Sequence, residues 1–213
     1  MKIQTITPKK AVNKAYLKER INKTDIESFK TNFVSLFDRI QATDKEQEGN
    51  RKTTVTTFLK SLYTLQYEIN SKGNTDLVIH TGKTAKEPVA VIFETKKPDS
   101  SEMMNDAKPN SKAMQQLVLY YLDERIEHKN TAVKHLIATD IFNWYIFDEN
   151  LFDKHIYRNP KFIKGYETYK QGGKDTEFFY KQIAQPLLDG LDVTFECTHF
   201  NLKDSNSNGL CGG

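Results

Sequence analysis

Residues 74–98 read NTDLVIHTGKTAKEPVAVIFETKKP, and they contain the two strands around which the fold is predicted to form. The first strand, 76–80, is rich in aliphatic residues, and the loop 81–88 contains the glycine and proline typical of turns. The second strand, 89–93, is an almost continuous run of β-branched and aromatic residues, which is typical of a strand buried on both faces. The stretch therefore predicts a hairpin whose second strand lies inside a sheet.

Further helices and strands are predicted on both sides of this hairpin from the spacing of apolar residues. In chain order they are helices 25–41 and about 55–63, strands 65–69, 76–80 and 89–93, helix 113–126, strands 135–139 and 144–147, and helix 175–190, with a turn at 70–74 and a loop at 98–110. Thr24 and Glu27 match a capping box that would start the first helix. We predict an α/β fold with a mixed central β-sheet flanked by helices, followed by a flexible tail at 203–213.

The overall composition limits the class of protein. A chain of 213 residues is long enough for one α/β domain with a core, and it contains no run of roughly 18 apolar residues that could cross a bilayer. The N-terminus lacks the apolar segment of a secretory signal, and Cys197 and Cys211 match no disulfide framework or zinc spacing. We expect a cytoplasmic protein without a membrane segment. The net charge of +3 neither supports nor excludes a DNA partner.

Three polar residues on these apolar strands form the candidate catalytic group. Asp76 opens the first strand, and Glu94 and Lys96 follow the second. Residues two apart in a strand point to the same side, so Glu94 and Lys96 should share a face. If the two strands pair across the loop 81–88, Asp76 should lie beside Glu94. Two carboxylates in one patch suit a hard divalent cation such as Mg²⁺.

This arrangement suits the hydrolysis of a phosphodiester. We expect Asp76, Glu94 and the main-chain carbonyl oxygen of Thr95 to hold Mg²⁺, with Mn²⁺ able to substitute. A metal there lowers the pKa of a bound water and stabilises the charge that develops on the phosphate. Lys96 would position or deprotonate that water, and the sequence does not decide its protonation state.

A surface ion pair at a strand end is the alternative interpretation of the same residues. Acid-x-Lys tripeptides also occur at 106–108 and 127–129, so the tripeptide alone has little specificity. Those two lie in a predicted loop and at a predicted helix end, where residues two apart do not share a strand face. The strand context of Glu94 and Lys96, with Asp76 on the preceding strand, is what favours a catalytic site.

A family resemblance adds to this interpretation. The stretch 74–98 resembles the catalytic hairpin of PD-(D/E)xK nucleases, and Gln116-Leu-Val-Leu-Tyr120 resembles the Gln-x-x-x-Tyr helix motif of their exonuclease-like branch. The resemblance implies a restriction-endonuclease-like core, a metal-dependent deoxyribonuclease activity, and roles for Gln116 and Tyr120 in orienting the site and contacting DNA. Helix positions i and i+4 share a face, so these two side chains can point at one target. The alternative interpretation is that Gln116 is a polar residue on the helix surface and that Tyr120 is an aromatic residue at the edge of the core.

Together with HLIATDIFNWYIFD at 135–148, the motifs are similar to the N-terminal nuclease part of type IIG restriction-modification enzymes, over residues 1–202. This similarity implies that the partner is double-stranded DNA. It also implies that a full-length relative carries methyltransferase and target-recognition domains, and that this chain is truncated before the methyltransferase. It also implies a division into N-terminal helices at 24–63, a catalytic core at 64–150 and a C-terminal helical part at 151–202. One active site cuts one strand, so we expect transient homodimers on DNA.

Several residues and roles stay open at this point. Many relatives carry an acidic residue before the first catalytic strand that completes the metal site, and Glu48, preferred over Glu68, is the candidate, unless it is a solvated charge. His80 and Lys83 either touch a phosphate or simply belong to the hairpin loop. The rival functions are a catalytically inactive module that binds DNA or protein, and a nuclease of repair or recombination.

Overall fold

The computed structural model describes residues 1–42, 48–63 and 66–203, and at 41, 42 and 48–52 it describes the backbone only. Within these ranges the chain forms an α/β fold in which helices flank a mixed β-sheet, as the sequence predicts. Residues 204–213, predicted as a flexible tail, lie outside the described part of the chain.

The described residues form one seven-stranded sheet. The strands are β1 (Lys2–Ile6), β2 (Ile69–Lys72), β3 (Thr75–His80), β4 (Val89–Thr95), β5 (His135–Thr139), β6 (Asn143–Asp148) and β7 (Thr194–Asn201). Their order across the sheet is β1-β7-β6-β5-β4-β3-β2. The pairs β1–β7 and β4–β5 are parallel, and all other neighbours are antiparallel.

Helices cover both faces of this sheet. They are α1 (Pro8–Ala11), α2 (Lys23–Ala42), α3 (Glu48–Tyr63), α4 (Lys112–Leu122), α5 (Glu149–Phe152), α6 (Pro160–Gln171), α7 (Thr176–Phe178) and α8 (Gln185–Asp189). A 3₁₀ turn forms at Tyr16–Lys18, and π-helical turns at Asp123–Glu127, Asp153–Tyr157 and Phe179–Ala184 extend α4, α5 and α7. Within 1–42, 48–63 and 66–203, no helix is both long enough and apolar enough to span a membrane.

Strand β4 connects the two hydrophobic clusters that stabilise the fold. On one face Ile92 packs in a cluster with Leu117 of α4, and on the other Phe93 packs in a cluster with Leu36 of α2 and Leu59 of α3. Ile92 and Phe93 are almost fully buried, which confirms the prediction of a strand buried on both faces. Because β4 and β5 are parallel, the chain needs a crossover between them, and α4 lies in that connection.

The predicted strand at 65–69 was wrong in position. Residue 65 lies outside the described part, 66–68 form a turn and coil, and β2 begins at Ile69. The tight turn at Gly73, whose φ is +56°, determines which residues can pair with β3. It places Ile69 opposite Ile79. The residues before Ile69 do not continue this strand, although the main chain of Glu68 forms hydrogen bonds with Gly82 and His80.

The start of α2 also differs from the predicted capping box at Thr24 and Glu27. The helix begins at Lys23, and the side-chain oxygen of Asn22 accepts a hydrogen bond from Asp25 N at 2.8 Å. Asparagine is among the strongest N-cap residues because its short side chain reaches the free N–H groups of the first turn. Asn22 is therefore the cap, two residues earlier than predicted.

The two strands β1 and β7 were not predicted. The part 151–202 was expected to be helical, but it ends in β7, and the sheet extends beyond the predicted core of 64–150. In β7 only Phe195 and Cys197 are fully buried, and the exposed Glu196 separates them. A strand with so few buried apolar residues gives a weak sequence signal until its neighbours are known. The helices predicted at 113–126 and 175–190 are confirmed, each with a π-helical turn.

A substitution at Gly165 tests the packing of α6 on the π-helical turn at Phe179–Ala184. A Cβ atom at Gly165 would lie 2.5 Å from Cγ2 of Ile183. Isoleucine is stiff at χ1, so the overpacking should cost more than the helix propensity gained, and we expect Gly165→Ala to destabilise the fold by about 1 kcal/mol. Urea denaturation measures this loss. Gly190→Ala, whose Cβ would lie 3.4 Å from the nearest atom, is the control, and equal stability of the two variants would contradict the prediction.

Candidate active site

The hairpin of β3 and β4 places Asp76 beside Glu94. The antiparallel register pairs Leu77 with Phe93, so Asp76 and Glu94 are the next facing pair. Oδ2 of Asp76 accepts hydrogen bonds from the N–H of Thr95 at 3.0 Å and from its hydroxyl at 2.8 Å. The structure therefore shows Thr95 holding Asp76 in place. The ligand role of the Thr95 carbonyl oxygen stays a prediction.

Glu94 is a buried carboxylate with one unpaired oxygen. The residue is 1% exposed, and Oε1 lies 3.0 Å from Nζ of Lys96. Oε2 is buried and has no hydrogen-bond partner of normal geometry among the described residues, although the Tyr120 hydroxyl interacts with this carboxyl group. Burial, and secondly the charge of Asp76, raise the pKa of Glu94 to about 7, although Lys96 and Tyr120 act in the opposite direction.

Lys96 is held as an ammonium by three oxygen acceptors. Its Nζ lies 2.6 Å from Oε1 of Gln116 and 3.0 Å from a carboxylate oxygen of both Glu94 and Glu102. Burial alone would lower the pKa of Lys96, but the charges and hydrogen bonds of the two glutamates outweigh burial and raise it. In the absence of a metal, therefore, Lys96 is an ammonium group.

Helix α4 presents one polar stripe to this cluster. Gln116 contacts Lys96, and its Nε2 donates to the hydroxyl oxygen of Tyr120 at 3.3 Å. Tyr120 is 2% exposed, and burial together with the charge of Glu94 raises its pKa, so its hydroxyl keeps its proton. The structure thus brings both residues of the Gln-x-x-x-Tyr motif to the predicted site. Their contact with DNA stays a prediction.

Glu102 and Lys112 belong to the same cluster and were not predicted. Glu102 lies in the loop between β4 and α4, and its carboxylate faces both Lys96 at 3.0 Å and Lys112 at 3.6 Å. Lys112 precedes Gln116 by four residues, so the helical stripe through Gln116 and Tyr120 could have indicated it. No sequence signal indicated Glu102, because its position depends on the path of an irregular loop.

Glu48 and Glu68, the proposed additional acidic ligands, do not contribute to the site described. Glu48 opens α3, and its side chain lies outside the described part of the structure. The main chain of Glu68 forms hydrogen bonds with Gly82 and His80. Glu68 therefore lies near the C-terminal end of β3, whereas Asp76 lies near its N-terminal end. Four residues of strand separate His80 from Asp76, about 13 Å, so Glu68 cannot complete a metal site there.

His80 and Lys83 lie at that same distant end of the hairpin. The His80 ring is buried, with Nδ1 2.6 Å from the carbonyl oxygen of Glu87 and Nε2 3.1 Å from the side-chain oxygen of Asn70. Both ring nitrogens therefore serve the local structure of the hairpin. A phosphate contact by His80 at the site of Glu94 is excluded by this position.

The paired carboxylates suit a small divalent cation. An unpaired buried carboxylate oxygen is costly unless a proton or a cation neutralises it, and Oε2 of Glu94 is such an atom. Within the described residues, no group of three His, Cys, Asp or Glu side chains is arranged to hold a metal. Mg²⁺ usually keeps several water ligands and binds through one or two carboxylates, which is the donor type that Asp76 and Glu94 offer.

The fold and the site define an α/β protein with an Asp-Glu-Lys cluster, in which Glu94 and Lys96 are buried, at the ends of two neighbouring strands of a mixed sheet. Comparison with known families matches residues 6–209 to the domain of unknown function DUF7149, and the chain belongs to this family. Neither the curated proteins nor the solved structures contain a match to this chain.

Proposed function

We propose that this chain is a metal-dependent deoxyribonuclease domain of the PD-(D/E)xK type that hydrolyses phosphodiester bonds in double-stranded DNA. The observation that carries the proposal is the unpaired Oε2 of Glu94, buried beside Asp76 and Lys96. A structural ion pair would satisfy both carboxylate oxygens, whereas a cation site needs an oxygen left available. The hairpin followed by a helix carrying Gln116 and Tyr120 also agrees with the restriction-endonuclease-like core that the sequence resemblance implies.

Each residue of the cluster has a role that its contacts support. Bound Mg²⁺ or Mn²⁺ supplies Lewis-acid stabilisation of the phosphate and a water of lowered pKa. Asp76 and Glu94 would hold the cation, and Thr95 fixes Asp76 through two hydrogen bonds. The ammonium of Lys96 neutralises charge that develops on the phosphate oxygens.

Residues of α4 hold that ammonium in position. Gln116 accepts a hydrogen bond from Lys96 at 2.6 Å, and the Tyr120 hydroxyl in turn accepts one from Gln116. Because Tyr120 is buried, the orientation of Gln116 is tied to the core of the protein. We infer that the pair keeps Lys96 pointed at the reacting phosphate.

Within this class, we propose that the chain is the cleavage module of a type IIG restriction-modification system. The support is the similarity over residues 1–202, which implies methyltransferase and target-recognition domains in a full-length relative. One such site cleaves one strand, so double-strand cleavage requires two copies on the DNA. Analytical ultracentrifugation with and without a DNA duplex tests this, and a strict monomer during double-strand cleavage would contradict it.

Metal binding and cleavage should be measured together to test the nuclease proposal. We expect Mn²⁺ to bind in isothermal titration, and Mg²⁺ or Mn²⁺, but not EDTA, to support nicking of supercoiled plasmid. Asp76→Asn should weaken metal binding by about tenfold or more, because a charged ligand is lost. Asp38→Asn, at an exposed position of α2, is the control. Absence of both binding and nicking would refute the proposal, and metal binding without nicking would favour a non-catalytic nuclease-like module.

A further inference from the structure

We infer that Lys96 and Lys112 form a phosphate-binding site that the carboxylate of Glu102 occupies while no nucleic acid is bound. The phosphate would be a phosphodiester of the DNA backbone next to the metal site, so the inference rests on the proposed nuclease function. It adds a residue that regulates access of substrate to that site.

The geometry of Glu102 resembles that of a bound phosphate. Oε2 lies 3.0 Å from Nζ of Lys96, and Oε1 lies 3.6 Å from Nζ of Lys112. Each oxygen of one anionic group thus faces a different ammonium, as two oxygens of a phosphate would. Lys96 also contacts Glu94, so an anion in this position adjoins the paired carboxylates.

The main chain of Glu102 is fixed, whereas its side chain can leave. The carbonyl oxygen of Glu102 accepts a hydrogen bond from Ala113 N at 3.1 Å, and the next two residues, Met103 and Met104, are buried. The Glu102 side chain, in contrast, is 45% exposed. Rotation of this exposed carboxylate into solvent hydrates it, and Lys96, whose side chain is 6% exposed, keeps Glu94 and Gln116 as partners.

Both lysines keep other partners after Glu102 leaves. Lys96 retains Glu94 and Gln116, and Lys112 retains Glu177 at 2.5 Å. Their ammonium groups would therefore stay in place and face the vacated position. Because Glu102 competes with the incoming phosphate, the protein should bind DNA more weakly than it would if the Glu102 side chain always pointed into solvent.

The substitution Glu102→Gln removes the competing charge and keeps the shape of the side chain. We expect it to lower the dissociation constant for inorganic phosphate by about three- to tenfold, measured by NMR titration in EDTA so that no cleavage occurs. A short DNA duplex with 5′-hydroxyl ends contains only phosphodiesters. Glu102→Gln should bind this duplex more tightly than the wild type does. Adding Lys112→Ala to Glu102→Gln should abolish most of the gain, because one of the two ammonium groups is lost.

Glu127→Gln is the matched control for a general charge effect. Glu127 is 47% exposed and pairs with Lys170, so it has similar exposure and also faces a lysine. If Glu102→Gln and Glu127→Gln change phosphate affinity equally, or if phosphate perturbs neither Lys96 nor Lys112, the inference is refuted. These readouts do not require cleavage. If Glu102→Gln gains phosphate affinity but the protein never nicks DNA, only the nuclease proposal is refuted. If the protein nicks DNA but Glu102→Gln gains no phosphate affinity, only the inference about Glu102 is refuted.

Discussion

Replacing Lys96 with alanine should reduce Mg²⁺-dependent nicking of supercoiled plasmid by about 10²- to 10³-fold, the range seen when one preorganised group that stabilises transition-state charge is removed. Lys96 is 7% exposed and its Nζ adjoins Glu94, so no other described lysine can take over the same contacts. We expect the loss mainly in kcat, because the charge acts most strongly on the transition state. Initial rates at several DNA concentrations separate kcat from KM.

Two further variants distinguish chemistry from charge and folding. Lys97→Ala removes the same charge from the adjacent, exposed position and should change nicking less than about threefold at moderate salt. Gln116→Ala removes an acceptor of Lys96 and should reduce nicking less than Lys96→Ala does. If the Lys96→Ala variant unfolds at the same temperature as the wild type and nicks plasmid at the same rate, DNA cleavage does not occur at this site.

The arrangement of strands β3 and β4 could be predicted because local pattern and sheet geometry agree there. The apolar run at 89–93 required an interior strand, and the short loop before it required an antiparallel neighbour. Once paired, Asp76 had to lie near Glu94, since side chains that face each other in a sheet share one side. The helix with Gln116 and Tyr120 followed from a strong 3.6-residue period.

Features that depend on distant contacts could not be predicted. Strand β1 gains its main-chain partners only when β7 is in place, almost 190 residues later in the chain. Glu102 reaches Lys96 only because the loop before α4 follows one particular path, anchored by buried methionines. Glu68 was excluded by the register of β2 on β3, which a turn at Gly73 determines.

Replacing Glu94 with glutamine should make the metal-free protein more stable at pH 8 and change its stability much less at pH 5. In the folded protein the pKa of Glu94 is about 7, against 4.5 for an unperturbed carboxyl group. The folded state therefore holds this proton more strongly than the unfolded state does. The stability that it contributes is present below pH 4.5 and is lost as the pH rises through 7. A difference of about 2.5 pH units corresponds to a loss of up to about 3 kcal/mol.

Glutamine mimics the protonated carboxyl group and has no proton to lose, so the variant should not show this decline. Urea denaturation in EDTA between pH 5 and pH 8 measures it, with Glu167→Gln as an exposed control. A variant less stable than the wild type at pH 8 would show that the ion pair with Lys96 outweighs the burial of Glu94. Added Mg²⁺ should stabilise only the wild type at pH 8, because ligand binding to the folded state raises stability and the variant lacks the anionic ligand. If the Glu94 carboxylate destabilises the metal-free protein and bound metal removes this loss of stability, the residue serves metal binding and not the stability of the fold.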